Sequence, residues 1–211
     1  MTQSPTPRGV FVSVEGIDGA GKSTQARLLA ARLRALGHAV VLTREPGGSA
    51  GAEAIRALVL GGETARWSPM TEALLFTAAR RDHVERTIAP ALAAGEIVLC
   101  DRFIDSTRAY QGDDPALAET VEMLHRRTIG LDPELTLIFD LDPEAAASRR
   151  ASRTEDRIEA RGLAFQQALR ARFLALAEAE PDRIAVIQAD ATEATVADRV
   201  WAVAAPRLGL G

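Results

Sequence analysis

The sequence predicts an α/β fold, a doubly wound, five-stranded parallel sheet flanked by helices in three layers. Two patterns and one turn carry that expectation. Five short, β-branched apolar runs recur along the chain, and longer alanine- and leucine-rich stretches with helical spacing separate them. A glycine-punctuated turn joins the first run to the first helical stretch. Nearly continuous apolar runs suit strands buried on both faces of a parallel sheet. Their alternation with helical segments builds that sheet with helices on either side.

Residues 1–8, MTQSPTPR, lack the apolar stretch of a signal peptide and read as a disordered tail. The remainder, 9–211, is expected to form one domain. Its strands are VFVSVE (10–15), HAVVLT (38–43), EIVLC (96–100), LTLIFD (135–140) and RIAVIQ (183–188). Helical stretches fall at about 21–36, 51–60, 69–93, 115–130, 142–151, 160–179 and 192–206. The lone cysteine, Cys100, closes the third run, where it reads as a buried small hydrophobe and forms no internal disulfide. No apolar run approaches the ~20 residues of a membrane span, so a soluble, cytoplasmic protein is expected.

With 25 basic and 29 acidic residues the formal charge is −4, which argues against a broad nucleic-acid surface. Lys22 is the only lysine among the basic residues, so arginine richness is a habit of the whole chain and a single arginine means little. The lysine stands out, because it sits where a compact ammonium on a flexible stem is needed.

Gly16-Ile17-Asp18-Gly19-Ala20-Gly21-Lys22-Ser23 matches G-x-x-x-x-G-K-[ST] in full, between an apolar strand and a helix. Glycines let successive backbone N–H groups turn inward around phosphate oxygens, and the helix N-terminus adds its positive end. Lys22 would reach the β- and γ-phosphates, and Ser23 would offer its hydroxyl oxygen to Mg²⁺. The turn is therefore expected to hold a nucleoside triphosphate. A guanine-reading switch would carry an N-K-x-D element, which a chain with no second lysine cannot supply. The size leaves little room for the modules of a motor, and a small kinase is favoured.

Three further stretches suit an acceptor site. Arg44-Glu45-Pro46-Gly47-Gly48 follows the second run, where proline and paired glycines fix a turn. Asp101-Arg102-Phe103 follows the third run and continues as IDSTRAYQG to Gly112. Leu74 to Arg80 places Phe76 and Arg80 four apart, on one helix face able to stack a flat ring and bond its edge.

VEGIDGAGKST, TREPGG, LLFTAAR, DRFIDSTRAYQG and DRIE occur in the order and approximate spacing of the thymidylate kinases, and the chain resembles that family from about residue 9 onward. The resemblance implies a P-loop NTPase fold and transfer of the γ-phosphoryl group of ATP to dTMP, with Mg²⁺. It implies an ATP site of Gly16, Ile17, Asp18, Gly19, Ala20, Gly21, Lys22, Ser23 and Thr24, with Arg149. Asp18 would lie near the 3′-hydroxyl and the transferring phosphate. Arg44 and Arg102 would hold the acceptor phosphate, Phe76 would stack on thymine, and Arg80 would bond a base oxygen. Thr107 and Gln111 would line the base edge, Tyr110 would crowd the 2′ position, and Ser106 would belong to the same loop. Phe103, often Tyr or His in this family, offers packing only. The metal would rest on Ser23, with Asp18 or Asp101 acting through water. A homodimer is implied by resemblance alone.

Residues 148–161 are expected to form an arginine-rich lid. Arg149, Arg153, Arg157 and Arg161 recur at spacings of four, with Arg150 beside them. On one continuous helix such like charges would cost ~0.2–0.5 kcal/mol per neighbouring pair. Closure over a triphosphate would turn the repulsion into attraction. Family members without an arginine in the phosphate loop resemble one another in bearing lid arginines, and here the loop position is Ala20. Arg150 and Arg153 are the expected charge stabilisers. Two alternatives stay open at this level, a related kinase with another acceptor and a nucleotide-dependent switch or assembly ATPase.

Overall fold

The computed structural model describes residues 8–63, 66–150 and 162–210, with Arg150 described in its backbone alone. Five parallel strands form one sheet in the order β2-β3-β1-β4-β5. They are β1 (Phe11–Glu15), β2 (Val40–Arg44), β3 (Ile97–Asp101), β4 (Leu135–Asp140) and β5 (Ile184–Gln188). Pairing of Val14 with Asp101 and of Arg44 with Asp101 brings the C-terminal ends of β1, β2 and β3 level. Ligands of open α/β sheets collect in the crevice beyond such ends.

Alternation along the strands builds two cores. Val12 and Val14 of β1, with Ile97 and Leu99 of β3, pack against Ala26, Leu29 and Leu33 of α1 (Lys22–Ala35) and Val196 and Val200 of α9 (Glu193–Arg207). Phe11, Val98 and Cys100 face the other way, toward Ile88, Phe103, Ile104, Leu117 and Val121. Ser13 and Glu15 share that second face by the two-residue period of a strand, and Ser13 Oγ sits 2.8 Å from Thr136 Oγ1 of β4. The expectation of strands buried on both faces holds for β1 and β4, whereas β2 is largely half-exposed and β5 mixes buried with exposed positions. Both are edge strands, and each lacks a neighbour on one side.

Helix starts follow local chemistry. Ser49, Ser68, Asp114 and Thr192 accept backbone N–H bonds at the heads of α2 (Ala50–Leu60), α3 (Pro69–His83), α6 (Pro115–Leu124) and α9. The helix expected over 69–93 is one path in three pieces. α3 passes through a π-helical turn, Val84–Ile88, into α4 (Ala89–Ala93). Pro90 lacks an N–H and would crowd the carbonyl four residues back, and the widened turn before it relieves that conflict. α7 (Pro143–Arg150) and α8 (Leu163–Ala179) flank the segment 151–161, which lies outside the described residues, as do residues 1–7 of the expected tail.

One helix is absent from the sequence expectation. Residues 104–111 form α5 (Ile104–Gln111), where the sequence suggests a loop. Its buried positions are Ile104, Asp105, Thr107, Ala109 and Gln111, so polar side chains break the usual apolar stripe, and Asp105 and Thr107 accept bonds from Arg183 and Arg80 elsewhere in the fold.

Candidate active site

The turn from β1 to α1 is shaped for an anion. Gly21 caps α1 at φ 93° without a side-chain bond, a conformation that favours glycine, and so leaves first-turn N–H groups for a ligand. Gly16 has φ 128°, and a Cβ there would stand 2.5 Å from the Phe139 carbonyl oxygen of β4. Close approach of two backbones fixes this residue as glycine. Lys22 is buried; its Nζ donates to the Ile17 carbonyl at 2.9 Å and lies 3.5 Å from Asp18 Oδ1. Burial lowers the Lys22 pKa, the Arg102 guanidinium lowers it further, and Asp18 and Asp101 oppose both. Ser23 Oγ donates to Asp101 Oδ2.

Arg102 faces this turn from the β3–α5 junction. Its guanidinium pairs with Asp18, donates from Nη1 to Ser106 Oγ at 3.0 Å, and lies 5.5 Å from the centre of the Tyr110 ring. The Tyr110 hydroxyl donates to Asp18 Oδ2 at 3.2 Å. Burial by itself would raise the Asp18 pKa, but Arg102 and Lys22 outweigh it and hold the carboxyl well below the usual range. Asp18 is thus an anion clasped by two cations and a phenol. It can position groups but is a poor proton acceptor. Burial pushes the Tyr110 hydroxyl up, so it stays a donor at neutral pH.

The base-sized end of the site is built on α3 and α5. Ser106, Thr107, Tyr110 and Gln111 recur at helical spacing on α5 and line the same cavity as Phe76 of α3. Arg80 is nearly fully buried. Its Nε donates to Glu45 Oε2 at 2.8 Å, and its Nη2 donates to the Phe103 carbonyl at 3.1 Å and to Thr107 Oγ1 at 3.0 Å. Phe103 does pack, as the sequence suggests, against Phe11 edge to face at 4.8 Å and beneath the Arg80 guanidinium at 5.0 Å. Glu45 also accepts from His83 Nδ1 at 3.0 Å, and His83 Nε2 lies 2.7 Å from Thr43 Oγ1. Arg44, at the end of β2, is half-exposed and donates to Glu53 at 2.8 Å.

A cavity of about 1030 Å³ gathers these groups. Asp18, Gly19, Ala20, Gly21, Lys22, Ser23 and Thr24 line it, with Arg44, Phe76, Arg80, Arg102, Ser106, Thr107, Tyr110, Gln111 and Arg149. Gly16 and Ile17 do not. Gly16 packs on β4 and the Ile17 side chain is in the core, so both hold the loop from beneath. The Arg150 side chain and Arg153 lie outside the described residues. Arg149 and the β5–α9 connection, Ala189, Ala191 and Thr192, close the far end of the cavity. Ligand cavities run from roughly 300 to 1,000 Å³, so this one lies at the upper end of that range.

Four buried groups escape a reading of the sequence. They are Glu15, Glu45, His83 and Asp105; of these, Glu45 lines the cavity, whereas Glu15, His83 and Asp105 do not. Asp105 receives Arg183 at 2.7 and 2.9 Å and Arg108 at 3.0 Å on the far side of α5. The one local signal for Glu15 is a carboxylate at the end of a mostly apolar strand.

Among the described residues, no cluster of three or more His, Cys, Asp or Glu could hold a metal ion. Ser23 and Asp101 nonetheless present hydroxyl and carboxylate oxygen side by side. Mg²⁺ accepts such a set when substrate phosphates and water complete its shell.

Comparison with known proteins agrees with this geometry. The thymidylate kinase family model matches residues 14–200. The chain belongs to the thymidylate kinase family. A thymidylate kinase of Ruegeria pomeroyi is 60% identical over 182 residues, covering 85% of this chain and 86% of that protein. That of Dinoroseobacter shibae is 56% identical over 93% of this chain and 97% of its own length. The crystal structure of thymidylate kinase from Ehrlichia chaffeensis superposes with a TM-score of 0.75 at 34% identity, over 94% of this chain and 99% of that one. The five-stranded parallel sheet is thus that of a P-loop nucleoside monophosphate kinase.

Proposed function

We propose that the chain transfers the γ-phosphoryl group of ATP to dTMP, giving ADP and dTDP on the route to dTTP. The observation that carries this reading is one cavity lined at once by a phosphate loop with Lys22 and by Phe76, Arg80 and Tyr110. An oxygen of the dTMP phosphate forms the new bond to the γ-phosphorus while the β–γ bridging bond breaks toward ADP. The second pKa of a phosphate monoester is about 6, so the nucleophile is already an anion at neutral pH and needs no base. His83 and His125 are both buried, with Glu45 and Asp132 as partners, which fits that economy.

Catalysis then rests on positioning and charge neutralisation. Lys22 and the loop N–H groups hold the donor, with Arg149 at its nucleoside end. Arg102 and Arg44 grip the acceptor phosphate, and Phe76, Arg80, Thr107 and Gln111 receive the base. Asp18 orients Arg102 and Lys22. Ser23, with Asp18 or Asp101 acting through water, would hold Mg²⁺, which would add charge neutralisation at the phosphates. Arg150 and Arg153, from the lid expected at 148–161, complete the set as charge stabilisers.

Two wider points belong to this reading. Leu58 of α2, Met70 and Leu74 of α3, and Met123 of α6 are exposed large apolar side chains on neighbouring helices. They support a homodimer, which sedimentation would test. Among the described residues no helix is long and apolar enough to cross a membrane, and Cys100 is a free buried thiol; both accord with a cytoplasmic location.

A panel of acceptors with ATP tests the reaction. dTDP should form with dTMP and stoichiometrically with ADP, and acceptor-independent ATP hydrolysis without dTDP would overturn the reading.

A further inference from the structure

Arg102 is the one non-glycine residue in the left-handed region among those described, at φ 73°. That conformation costs roughly 1–2 kcal/mol for an ordinary L-residue, so neighbouring groups must hold it. Its own N–H donates to the Val14 carbonyl of β1 at 2.9 Å. The two residues that follow in space are held by the next side chain of the same strand. Glu15 Oε1 accepts from Phe103 N at 2.6 Å and from Ser106 N at 3.2 Å. These are backbone donors at the head of α5, a helix whose own cap residue makes no side-chain bond. Glu15 Oε2 accepts from Ser106 Oγ at 2.6 Å, and that oxygen in turn accepts from Arg102 Nη1 at 3.0 Å.

We infer that Glu15 is a positioning residue that locks the acceptor-phosphate arginine, Arg102, to the strand bearing the phosphate loop. Glu15 immediately precedes Gly16, so one buried carboxylate ties the head of the donor cradle to both the backbone and the guanidinium of the acceptor grip. It therefore sets the separation of the two phosphates. Glu15 is fully buried and touches no part of the cavity directly. Arg102 and Asp105 of the β3–α5 segment and Lys22 of α1 are the charges that act on it or feel it. Burial, with Asp105 adding to it, pushes its carboxyl up to about 7 against the pull of Arg102.

The inference rests on the proposed role of Arg102 toward dTMP, and two ligands separate that grip from a general lesion. Glu15→Gln keeps an acceptor for the two backbone donors but turns an NH₂ toward Ser106 Oγ, which already accepts from Arg102. Calorimetry with dTMP and with thymidine, which lacks the phosphate, should then diverge. The Kd for dTMP should rise roughly tenfold or more, the scale of one charge-assisted hydrogen bond, with the Kd for thymidine within about twofold. Ser106→Ala, which spares both backbone bonds, should reproduce the same selective loss, and the double variant should add little to it. Equal weakening of both ligands, or unchanged dTMP binding, in either soluble variant overturns the inference. Should Glu15→Gln not fold, Ser106→Ala alone decides. Failure of the unmutated protein to bind dTMP would overturn the proposed function itself and this inference with it.

Discussion

Replacing Arg80 by methionine tests the buried charge pair that supports the base end of the cavity. Arg80 and Glu45 have side chains only 3% and 5% exposed, and Nε–Oε2 is 2.8 Å. Removing one partner of such a pair leaves the other as an uncompensated buried charge, at a cost of about 3–5 kcal/mol. In a domain of this size each kcal/mol shifts the melting temperature by roughly 2–4 °C, giving a fall of about 6–20 °C. Pairing the change with Glu45→Gln removes the stranded carboxylate, so the double variant should recover about half of the loss or more. Urea unfolding followed by far-UV circular dichroism measures both, and dTMP should no longer raise the stability of either variant. A loss below about 1 kcal/mol for Arg80→Met, or simple additivity in the double variant, would refute the buried-pair account.

Gly16→Ala places a Cβ 2.5 Å from the Phe139 carbonyl oxygen at φ 128°, and should cost about 2–4 kcal/mol in urea unfolding. A wild-type midpoint would show that the two backbones separate freely there. Asp18→Asn should lower turnover by about tenfold or more, because it loosens the arginine and lysine that orient the phosphates. Its folded pKa is depressed, so its stabilising contribution is present above the ordinary value of 3.8 and is lost as the pH falls through the folded pKa. The stability gap between wild type and Asp18→Asn should therefore shrink in acid, and a constant gap would contradict the charge clasp. Glu15 has the opposite sign. Its carboxyl is raised from 4.5 to about 7, so its contribution is full below 4.5 and is lost as the pH rises through about 7. Glu15→Gln should thus look less damaging to stability at pH 8 than at pH 5 in parallel melts. Arg153→Ala should lower turnover by about tenfold or more while leaving dTMP affinity nearly unchanged, and unchanged turnover would remove that arginine from the reaction.

The sheet was legible because its central strands are apolar along their length, and the phosphate loop because its whole chemistry sits in eight consecutive residues. Contacts between distant residues were not legible. Glu15 meets Phe103 across 88 residues, and no local pattern reports that pairing. The same gap hid α5, whose head is capped from β1 and three of whose five buried side chains, Asp105, Thr107 and Gln111, are polar. A helix is legible by its hydrophobic stripe, and one with largely polar buried positions does not offer it. The spacing of Phe76 and Arg80 puts them on one helix face. That Arg80 is already held by Glu45, 35 residues away, depended on the turn after β2. Edge exposure of β2 and β5 likewise follows from strand order, which the runs themselves do not encode.

One measurement bears most directly on the claim that a single cavity holds donor and acceptor end to end. An adenosine and a thymidine joined 5′ to 5′ through a chain of phosphates should bind the wild-type protein one per chain in calorimetry. Saturation with it should abolish binding of both ATP and dTMP. Undiminished binding of either nucleotide to the saturated protein would mean that the two sites are separate, and would contradict the account.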